Sequence, residues 1–342
     1  MRPSLAIDVG TSRTLVVEPT RGVLVDEPSL AAVDIATGKL LGFGRRACAM
    51  VGTAAGEVVI ARPVRQGQLV DLELTDQIAA ELLERARHVG VHRPEVLCCV
   101  PGSATGVQQR ALERSFKKAG THKVGFVDHA VACGIGARLR LEEPVASMVM
   151  DVGAGTSDIA VMALGGVVTG ASVGIGGGDF DEAIRHLCQR SFDLVLPPGS
   201  AESIKRAIGS AWPTDERKLE VRGRDAGNGM ARTVVLSRGE VSTAIDEHVD
   251  TIIRAAVSCI TESPPDLAND LLARGLYLAG GGALLGGFAQ RLATATGIPI
   301  HLVTSPETVA VNGAARSLRA MRLAPPSAPA GSRLDVPRST AD

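Results

Sequence analysis

Two short turns in this sequence carry residue types that suit the binding of phosphate. The first turn follows an apolar strand that ends near Asp8, and it contains Gly10, Thr11, Ser12 and Arg13. The second follows another apolar strand that ends near Asp151, and it contains Gly153, Ala154, Gly155 and Thr156. Glycine lets a backbone approach a ligand closely, so that N–H groups and hydroxyls can bind phosphate oxygens. We expect the two turns to hold one polyphosphate from opposite sides.

The aspartate that leads each turn predicts a metal site. Asp8 and Asp151 are short, ionised side chains next to the expected phosphates. Mg²⁺ bound to a polyphosphate keeps several waters and meets few protein carboxylates directly. One such turn is weak evidence, but two copies in one chain predict two similar lobes that face the same nucleotide.

Two further glycine clusters favour the same kind of site. One cluster leads into a helix that has Gly177 and Asp179 near its start, where acidic residues are favoured. The other ends a strand with three glycines at 280–282, against which a flat base could lie. Taken singly, either cluster is as often an ordinary tight turn.

Other nucleotide-binding and nucleic-acid-binding classes are disfavoured. No lysine is followed by serine or threonine, which excludes the P-loop motif. No glycine cluster has the dinucleotide pattern GxGxxG after a first strand. The 36 basic and 37 acidic residues are mixed and give a net charge of −1, so nucleic acid is not an expected partner.

The elements that position these turns predict an α/β fold of two lobes, for which 342 residues suffice. Apolar spacing predicts a helix over 75–88 and a buried strand over 96–100. Helices of small residues around Cys133 and Gly313 would let two backbones cross closely as a hinge, with ordinary alanine-rich helices as the equal alternative. The uncharged stretch 159–178 predicts a buried hairpin that turns at Gly165 and Gly166, not a membrane span.

Beyond these patterns, the chain resembles the MreB and Mbl proteins within the superfamily of actin, Hsp70 and the sugar kinases. The motifs that carry the resemblance are 8–14 and 151–161 for the phosphates, and then 26–29, 99–101, 172–184, 220–224, 264–268 and 274–285. It covers about residues 5–320. It implies an actin-like fold, in which two ribonuclease H-like lobes carry small inserted subdomains and enclose a nucleotide cleft.

The repeat and the resemblance together predict the domain boundaries. Lobe I takes residues 1–135, with a small insertion at about 33–70, and is rejoined by residues 309–322. Lobe II takes residues 136–308, with a small insertion at about 180–245. Residues 323–342, rich in proline, serine and alanine without periodicity, are expected to form a disordered tail.

The resemblance also implies roles for single residues, with ATP and Mg²⁺ as cofactors. It assigns the phosphates to Gly10, Thr11, Ser12, Arg13, Gly153, Ala154, Gly155 and Thr156, and the metal to Asp8 and Asp151. It assigns ribose and adenine to Gly177, Asp179, Glu202, Lys205, Gly281, Gly282, Ala283 and Leu284. From the sequence pattern alone, Glu202 and Lys205 are only solvated residues at helical spacing.

One departure from the family concerns hydrolysis. Family members usually carry Glu-Glu-Pro between the lobes, and the second glutamate is expected to orient the attacking water. Here the equivalent residues are Asp128, His129 and Ala130, so the catalytic candidates are Asp128, His129 and Asp151. Because the protein mainly positions water and neutralises charge in such reactions, we expect slow or absent ATP hydrolysis, with Asp128 as the candidate substitute.

The function implied by the resemblance is that of an ATP-binding actin homologue. Such a protein polymerises with itself into filaments that organise cell-wall synthesis and cell shape, in rod growth or in the sporulation wall, with membrane proteins of wall synthesis as partners. The alternatives are a small-molecule kinase of the superfamily and a chaperone-type ATPase. A cytoplasmic location is expected because no secretion signal precedes the first strand. The loop 88–92 offers little apolar area, so any peripheral association with the inner face of the membrane is expected to be weak or indirect.

Overall fold

The structure, a computed structural model, describes residues 3–51, 57–212 and 215–323. Its first elements are β1 (Ser4–Val9), β2 (Arg13–Glu18), β3 (Gly22–Pro28), β4 (Ala31–Asp34), β5 (Leu40–Phe43), α1 (Arg45–Ala49), β6 (Val58–Ala61), β7 (Val64–Arg65), β8 (Gln68–Leu69), α2 (Leu72–His88), β9 (Glu95–Val100), α3 (Gly106–Lys118), β10 (Lys123–Asp128) and α4 (His129–Gly136). The expected tail, from residue 324 onward, lies outside the described residues.

The second half of the chain repeats the mixture of strands and helices. Its elements are β11 (Ser147–Val152), β12 (Ser157–Ala163), β13 (Gly166–Val173), α5 (Gly177–Phe192), β14 (Leu194–Val195), α6 (Ser200–Ile208), β15 (Lys218–Asp225), β16 (Ala231–Ser237), α7 (Arg238–Thr261), α8 (Pro265–Arg274), β17 (Leu276–Ala279), a 3₁₀ turn (Gly281–Leu284), α9 (Phe288–Thr296), β18 (Ile300–Leu302) and α10 (Val309–Leu323).

Two five-stranded sheets have the same topology, ordered β10-β9-β1-β2-β3 and β18-β17-β11-β12-β13. In the first, β1 pairs antiparallel with β2 and parallel with β9. In the second, β11 pairs antiparallel with β12 and parallel with β17. We call the parts built on these sheets lobe I and lobe II. The two similar lobes predicted from the repeated turn are thus confirmed, because each turn directly follows the central strand of its own sheet.

Two small three-stranded sheets, β5-β4-β6 in lobe I and β14-β15-β16 in lobe II, form the inserted subdomains. A separate two-stranded hairpin, β7-β8, follows β6. The residue bounds of the domains remain predictions.

The hydrophobic core has three parts, and strand alternation divides the side chains among them. On β1, Leu5 and Ile7 face the lobe I core, which includes α2 and α3. Ala6 faces the opposite side, where both sheets bury a shared layer with α4 and α10. Lobe II has its own core around Phe180 of α5 and Ile245 of α7. The shared layer therefore holds the two lobes together at the base of the cleft.

The helices α4 and α10 cross with their backbones in direct contact. A methyl group at Gly136 would overlap the carbonyl of Val309, and one at Gly313 would overlap the carbonyl of Ala132. The close crossing predicted from the small residues is therefore present. Hinge motion about this crossing remains a prediction.

The uncharged stretch forms the β12–β13 hairpin, with two corrections to its prediction. The turn is Leu164-Gly165, one residue earlier than expected, because both residues adopt positive φ, 53° and 77°. This backbone suits the twist of a tight hairpin. The hairpin is also only partly buried, since β12 lies in the core while the residues of β13 are mostly half-buried. Among the described residues, no helix has the length and apolarity needed to span a membrane.

The loop after α2 offers even less apolar surface than its sequence predicts. Val91 is 2% exposed and belongs to the lobe I core, whereas Val89 is 45% exposed. Of the two valines in this loop, Val89 is therefore the accessible one.

Candidate nucleotide site

The two aspartates face one cleft between the lobes. Asp8 is the last residue but one of β1, and Asp151 is the last but one of β11. Their carboxylates meet on opposite sides of the His129 imidazole, with Nε2 3.3 Å from Asp8 Oδ1 and Nδ1 3.5 Å from Asp151 Oδ2. The strand ends of both sheets therefore converge, as the repeated motif predicts.

The two turns have the same backbone geometry and touch each other. Gly10 N–H donates to the carbonyl of Arg13 at 3.0 Å, and Gly153 N–H donates to that of Thr156 at 2.8 Å. A side chain at Gly155 would overlap the Thr11 hydroxyl of the opposite turn. The glycine at 155 thus allows the two turns to approach each other closely.

The glycine cluster before α5 is explained by close packing against the second turn. Gly177 N–H donates to the carbonyl of Gly153 at 2.9 Å, and Gly178 N–H donates to that of Ala154 at 2.7 Å. Asp179 caps α5, because its Oδ2 accepts from Gly176 N–H at 2.7 Å. Asp179 therefore fixes the start of α5, and its carboxylate is engaged with its own backbone.

The two helical candidates for ribose contact have different surroundings. Lys205 Nζ lies 2.8 Å from Asp181 Oδ1 and donates to the carbonyl of Gly177 at 2.7 Å, which places its ammonium at the start of α5. Glu202 pairs with Arg206 one turn further along α6 and is partly exposed. Lys205 is thus tied to the site, whereas Glu202 lies on an accessible helix face.

The three glycines after β17 bring their backbone against the end of β11. A methyl group at Gly280, whose φ is +83°, would lie 2.5 Å from Asp151 Oδ1, and one at Gly282 would overlap Val152. Gly281 lies between them, beside Glu307. The next two residues differ in exposure, since Ala283 is buried and Leu284 is 55% exposed. The segment that the resemblance assigns to adenine therefore borders Asp151 and Val152 directly.

The side chain of Arg13 pairs with acidic residues outside the turn that contains it. Its guanidinium donates two hydrogen bonds of 2.7 Å to the Asp26 carboxylate and lies 3.7 Å from Glu307 Oε2. The pairing lowers the pKa of Asp26. Ser29, from the same strand end, donates its N–H to the carbonyl of Ser12 at 2.9 Å. The motif at 26–29 thus supports the first turn from behind, and Arg13 contributes its carbonyl to the turn.

Asp128 and His129 take different places although they are adjacent. Asp128 caps α4, with Oδ1 accepting from Ala130 N–H at 2.8 Å. Burial, together with Asp158, raises the pKa of Asp128. His129 occupies the space between Asp8 and Asp151. Burial lowers the pKa of His129, but the facing carboxylates outweigh it and raise that pKa to about 10. The residue placed in the cleft is therefore His129.

Sequence reasoning missed Asp158, which is buried on β12. Its Oδ1 accepts from Gly102 N–H of lobe I at 2.8 Å, and its Oδ2 accepts from the Thr156 hydroxyl at 3.0 Å. Because Thr156 gives its proton to Asp158, its oxygen lone pairs remain for a water or a cation. An acid within an otherwise apolar buried strand was the signal that could have found it.

The residues present fit Mg²⁺ bound through a nucleotide. Asp8 Oδ1 and His129 Nε2 are both buried and lie 3.3 Å apart, an ion-pair contact without good hydrogen-bond geometry. A carboxylate oxygen whose lone pairs are not fully used suits a cation or its water. The described residues contain no group of three or more ligands that could hold a metal by itself. Phosphate and water oxygens would have to complete the coordination, which is the usual situation for Mg²⁺.

Comparison with known proteins identifies a family. The family model described as MreB/Mbl protein matches residues 2–324. The chain is 37% identical to the cell shape-determining protein MreB of Escherichia coli K12, over 92% of each chain. It is 33% identical to the cell shape-determining protein Mbl of Bacillus subtilis 168, over 88% of this chain and 91% of that one.

Solved structures with the same fold include two nucleotide complexes. MreB5 of Spiroplasma citri bound to ADP superposes with a TM-score of 0.88 at 25% identity, covering 94% of this chain and 98% of that one. The AMPPNP complex of the same protein gives 0.87, also at 25% identity, with 94% and 97% covered. The MamK double helical filament, at 20% identity with 93% and 99% covered and a TM-score of 0.78, supports the fold alone. The chain belongs to the MreB/Mbl family.

Proposed function

We propose that this chain binds ATP with Mg²⁺ between its lobes and polymerises into filaments that organise cell-wall synthesis and cell shape. The observation that carries the proposal is the convergence of Asp8 and Asp151 on one cleft, where the turns of the two lobes touch at Thr11 and Gly155. Relatives named as cell shape-determining proteins, and neighbours bound to ADP and AMPPNP, support it.

In the proposed complex, the backbone N–H groups of the two turns hold the phosphates from opposite sides. Mg²⁺ would supply positive charge against the phosphate oxygens, with Asp8 and Asp151 facing it or its waters. Gly281 and its neighbours would border the base, and Lys205 the sugar. Because the phosphates link groups from both lobes, their binding favours a closed cleft, and closure favours subunit addition.

The proposed partners are other copies of this chain and membrane proteins of cell-wall synthesis. The proposed location is the cytoplasm, with at most a weak or indirect association with the inner face of the membrane. These assignments rest on the names of the relatives and on the small apolar area of the loop after α2.

Filament formation is the direct test of the proposal. Full-length protein is expected to pellet at high speed with Mg·ATP and to show filaments in electron micrographs, and to stay in the supernatant with EDTA. Asp8→Asn, which removes one of the two charges that face the metal, should reduce pelleting. Absence of filaments with every nucleotide, or transfer of phosphate to a small acceptor, would favour another member of the superfamily.

Hydrolysis of ATP is expected to be slow, because an imidazole stands between the two aspartates in place of a water-orienting carboxylate. His129→Glu should raise the rate of phosphate release from Mg·ATP by at least about tenfold, since positioned general bases contribute roughly 10²–10⁴-fold. Single-turnover phosphate release measures it. His129→Gln is the matched control without a charge. Fast phosphate release by the unaltered chain, or an unchanged rate in His129→Glu, would contradict the proposal that His129 replaces the water-orienting carboxylate.

A further inference from the structure

The β7–β8 hairpin of lobe I reaches the phosphate turns of both lobes. Its tip consists of Gln66 and Gly67, with φ of 47° and 72°. A methyl group at Gly67 would lie 2.7 Å from Thr156 Cγ2, and one at Gly155 would lie 3.0 Å from the backbone nitrogen of Gln66. The positive φ of a non-glycine residue costs energy that the surrounding contacts must offset. The close contacts of Gln66 and Gly67 with Gly155 and Thr156 therefore hold the hairpin tip against the second turn.

Arg62, which leads into this hairpin, connects it to the first turn. Its Nη1 donates to the carbonyl of Thr11 at 3.1 Å. The residues that follow are anchored, because the Pro63 carbonyl accepts from Val70 N–H at 3.0 Å and Val64 is buried. The backbone that carries Arg62 is therefore anchored, and its exposed guanidinium stands at the edge of the proposed phosphate site.

Arg62 also faces lobe II across the cleft. Burial raises the pKa of Asp181 on α5, and the cations of Lys205 and Arg62 oppose that shift. Lys205 is already paired with Asp181 at 2.8 Å. Arg62 is thus a cation from lobe I that lies near acceptors of both lobes.

The chemistry of this position points to a phosphate ligand. A guanidinium has five N–H donors in a planar fork that matches phosphate, and its hydrogen bonds to a charged oxygen are stronger than those to a neutral carbonyl. The residues assigned to ribose and adenine, 202–205 and 281–284, all belong to lobe II. Arg62 instead lies in lobe I beside Thr11 of the first turn, so its guanidinium stands on the phosphate side of the site.

We propose that Arg62 binds the terminal phosphate of ATP and makes the site prefer ATP to ADP. The β7–β8 hairpin holds the guanidinium in place through its contacts with Thr156 and Gly155. This inference rests on the proposed function, because it names the group that distinguishes a triphosphate from a diphosphate in the same site.

The test compares the affinities of the full-length protein for Mg·ATP and Mg·ADP by titration calorimetry. Arg62→Ala is expected to weaken ATP binding by about tenfold or more, the usual range for a charge-assisted hydrogen bond, and ADP binding by less than about twofold. Arg62→Lys keeps the charge but loses the fork, and it should give an intermediate ATP affinity. Arg65→Ala, an exposed arginine of the same hairpin, should change neither affinity.

The outcomes separate this inference from the function on which it rests. Equal losses for ATP and ADP, or no loss, would overturn the role of Arg62 while leaving nucleotide binding intact. Failure of the unaltered chain to bind either nucleotide would remove the proposed function, and this inference with it. Thermal melts check that each variant is folded. If the alanine variant is unstable, the ATP and ADP affinities of Arg62→Lys are compared with those of the unaltered chain instead.

Discussion

Gly313→Ala is expected to lower the free energy of unfolding by about 3 kcal/mol or more, at the upper end of the usual cost of overpacking a core. The added methyl group would overlap the carbonyl of Ala132 and lie 2.7 Å from the backbone nitrogen of Gly136. Both atoms belong to α4, so the helices must separate. Separation would open the shared layer, where Val311 is fully buried. Urea denaturation followed by circular dichroism measures the change.

The matched control is the same substitution in α7. Gly239 is also helical, and a methyl group there would meet no atom within 4 Å. Gly239→Ala should therefore stabilise the protein slightly, by about 0.5 kcal/mol, since alanine loses less backbone entropy in a helix. Opposite signs for the two substitutions are the expected result. Equal stability of Gly313→Ala and the unaltered chain would show that α4 and α10 do not cross as described.

Asp151→Asn is expected to weaken the binding of Mg·ATP by about 10- to 100-fold. The substitution keeps the size of the side chain but removes one of the charges that face the proposed metal, and interactions with charged groups contribute roughly 1.5–3 kcal/mol. Titration calorimetry with Mg²⁺ and again with EDTA measures the effect, which should shrink without the metal. Asp76→Asn, on α2 and paired with Lys118, is a control that should leave affinity unchanged. Equal affinities of Asp151→Asn and the unaltered chain would remove Asp151 from the metal site.

The same substitution should stabilise the nucleotide-free protein in a pH-dependent way. Burial raises the pKa of Asp151 to about 7, with Asp158 and Asp8 adding to the shift and His129 opposing it. An unfolded aspartate titrates near pH ~3.9. Because the folded pKa is the higher one, the stability contributed by the protonated acid is present at low pH and is lost as pH rises from about 4 to 7.

At pH 8 the folded protein therefore carries the cost of a buried charge that asparagine would remove. We expect Asp151→Asn to raise the free energy of unfolding by up to about 4 kcal/mol at pH 8 and by little at pH 4, since the pKa rises by about three units and each unit corresponds to about 1.4 kcal/mol. Thermal melts at the two pH values without nucleotide measure it. A loss of stability at pH 8 would mean that the pairing with His129 outweighs burial. A gain in stability together with a loss of Mg·ATP affinity would show that Asp151 serves binding at a cost to the stability of the fold.

The helix boundaries show where sequence patterns are incomplete. Apolar spacing predicts α2 from residue 75, but the helix begins at Leu72, because the Asp71 side chain accepts from Leu74 N–H and caps it. Leu74 is buried one turn before Ile78, so the apolar spacing itself extends into this first turn, although the prediction began only at residue 75. The capping residue is the signal that extends the prediction.

The sequence by itself determined the local features of this protein. The paired turns that Asp8 and Asp151 lead, the small residues of α4 and α10, and the alternation along β1 all depend on residues close together in the chain, and each is present in the structure. These features follow from hydrogen bonds and steric limits that act over a few residues.

Only the tertiary structure decided which partner each polar side chain takes. Arg13 pairs with Asp26, Asp128 caps α4, and His129 stands between two aspartates from different lobes. Asp158, which lies within the motif 151–161 but received no role from it, joins Gly102 of lobe I to Thr156 of lobe II. Such choices depend on how segments far apart in the chain are packed, because a buried charge must find whatever partner the fold places beside it.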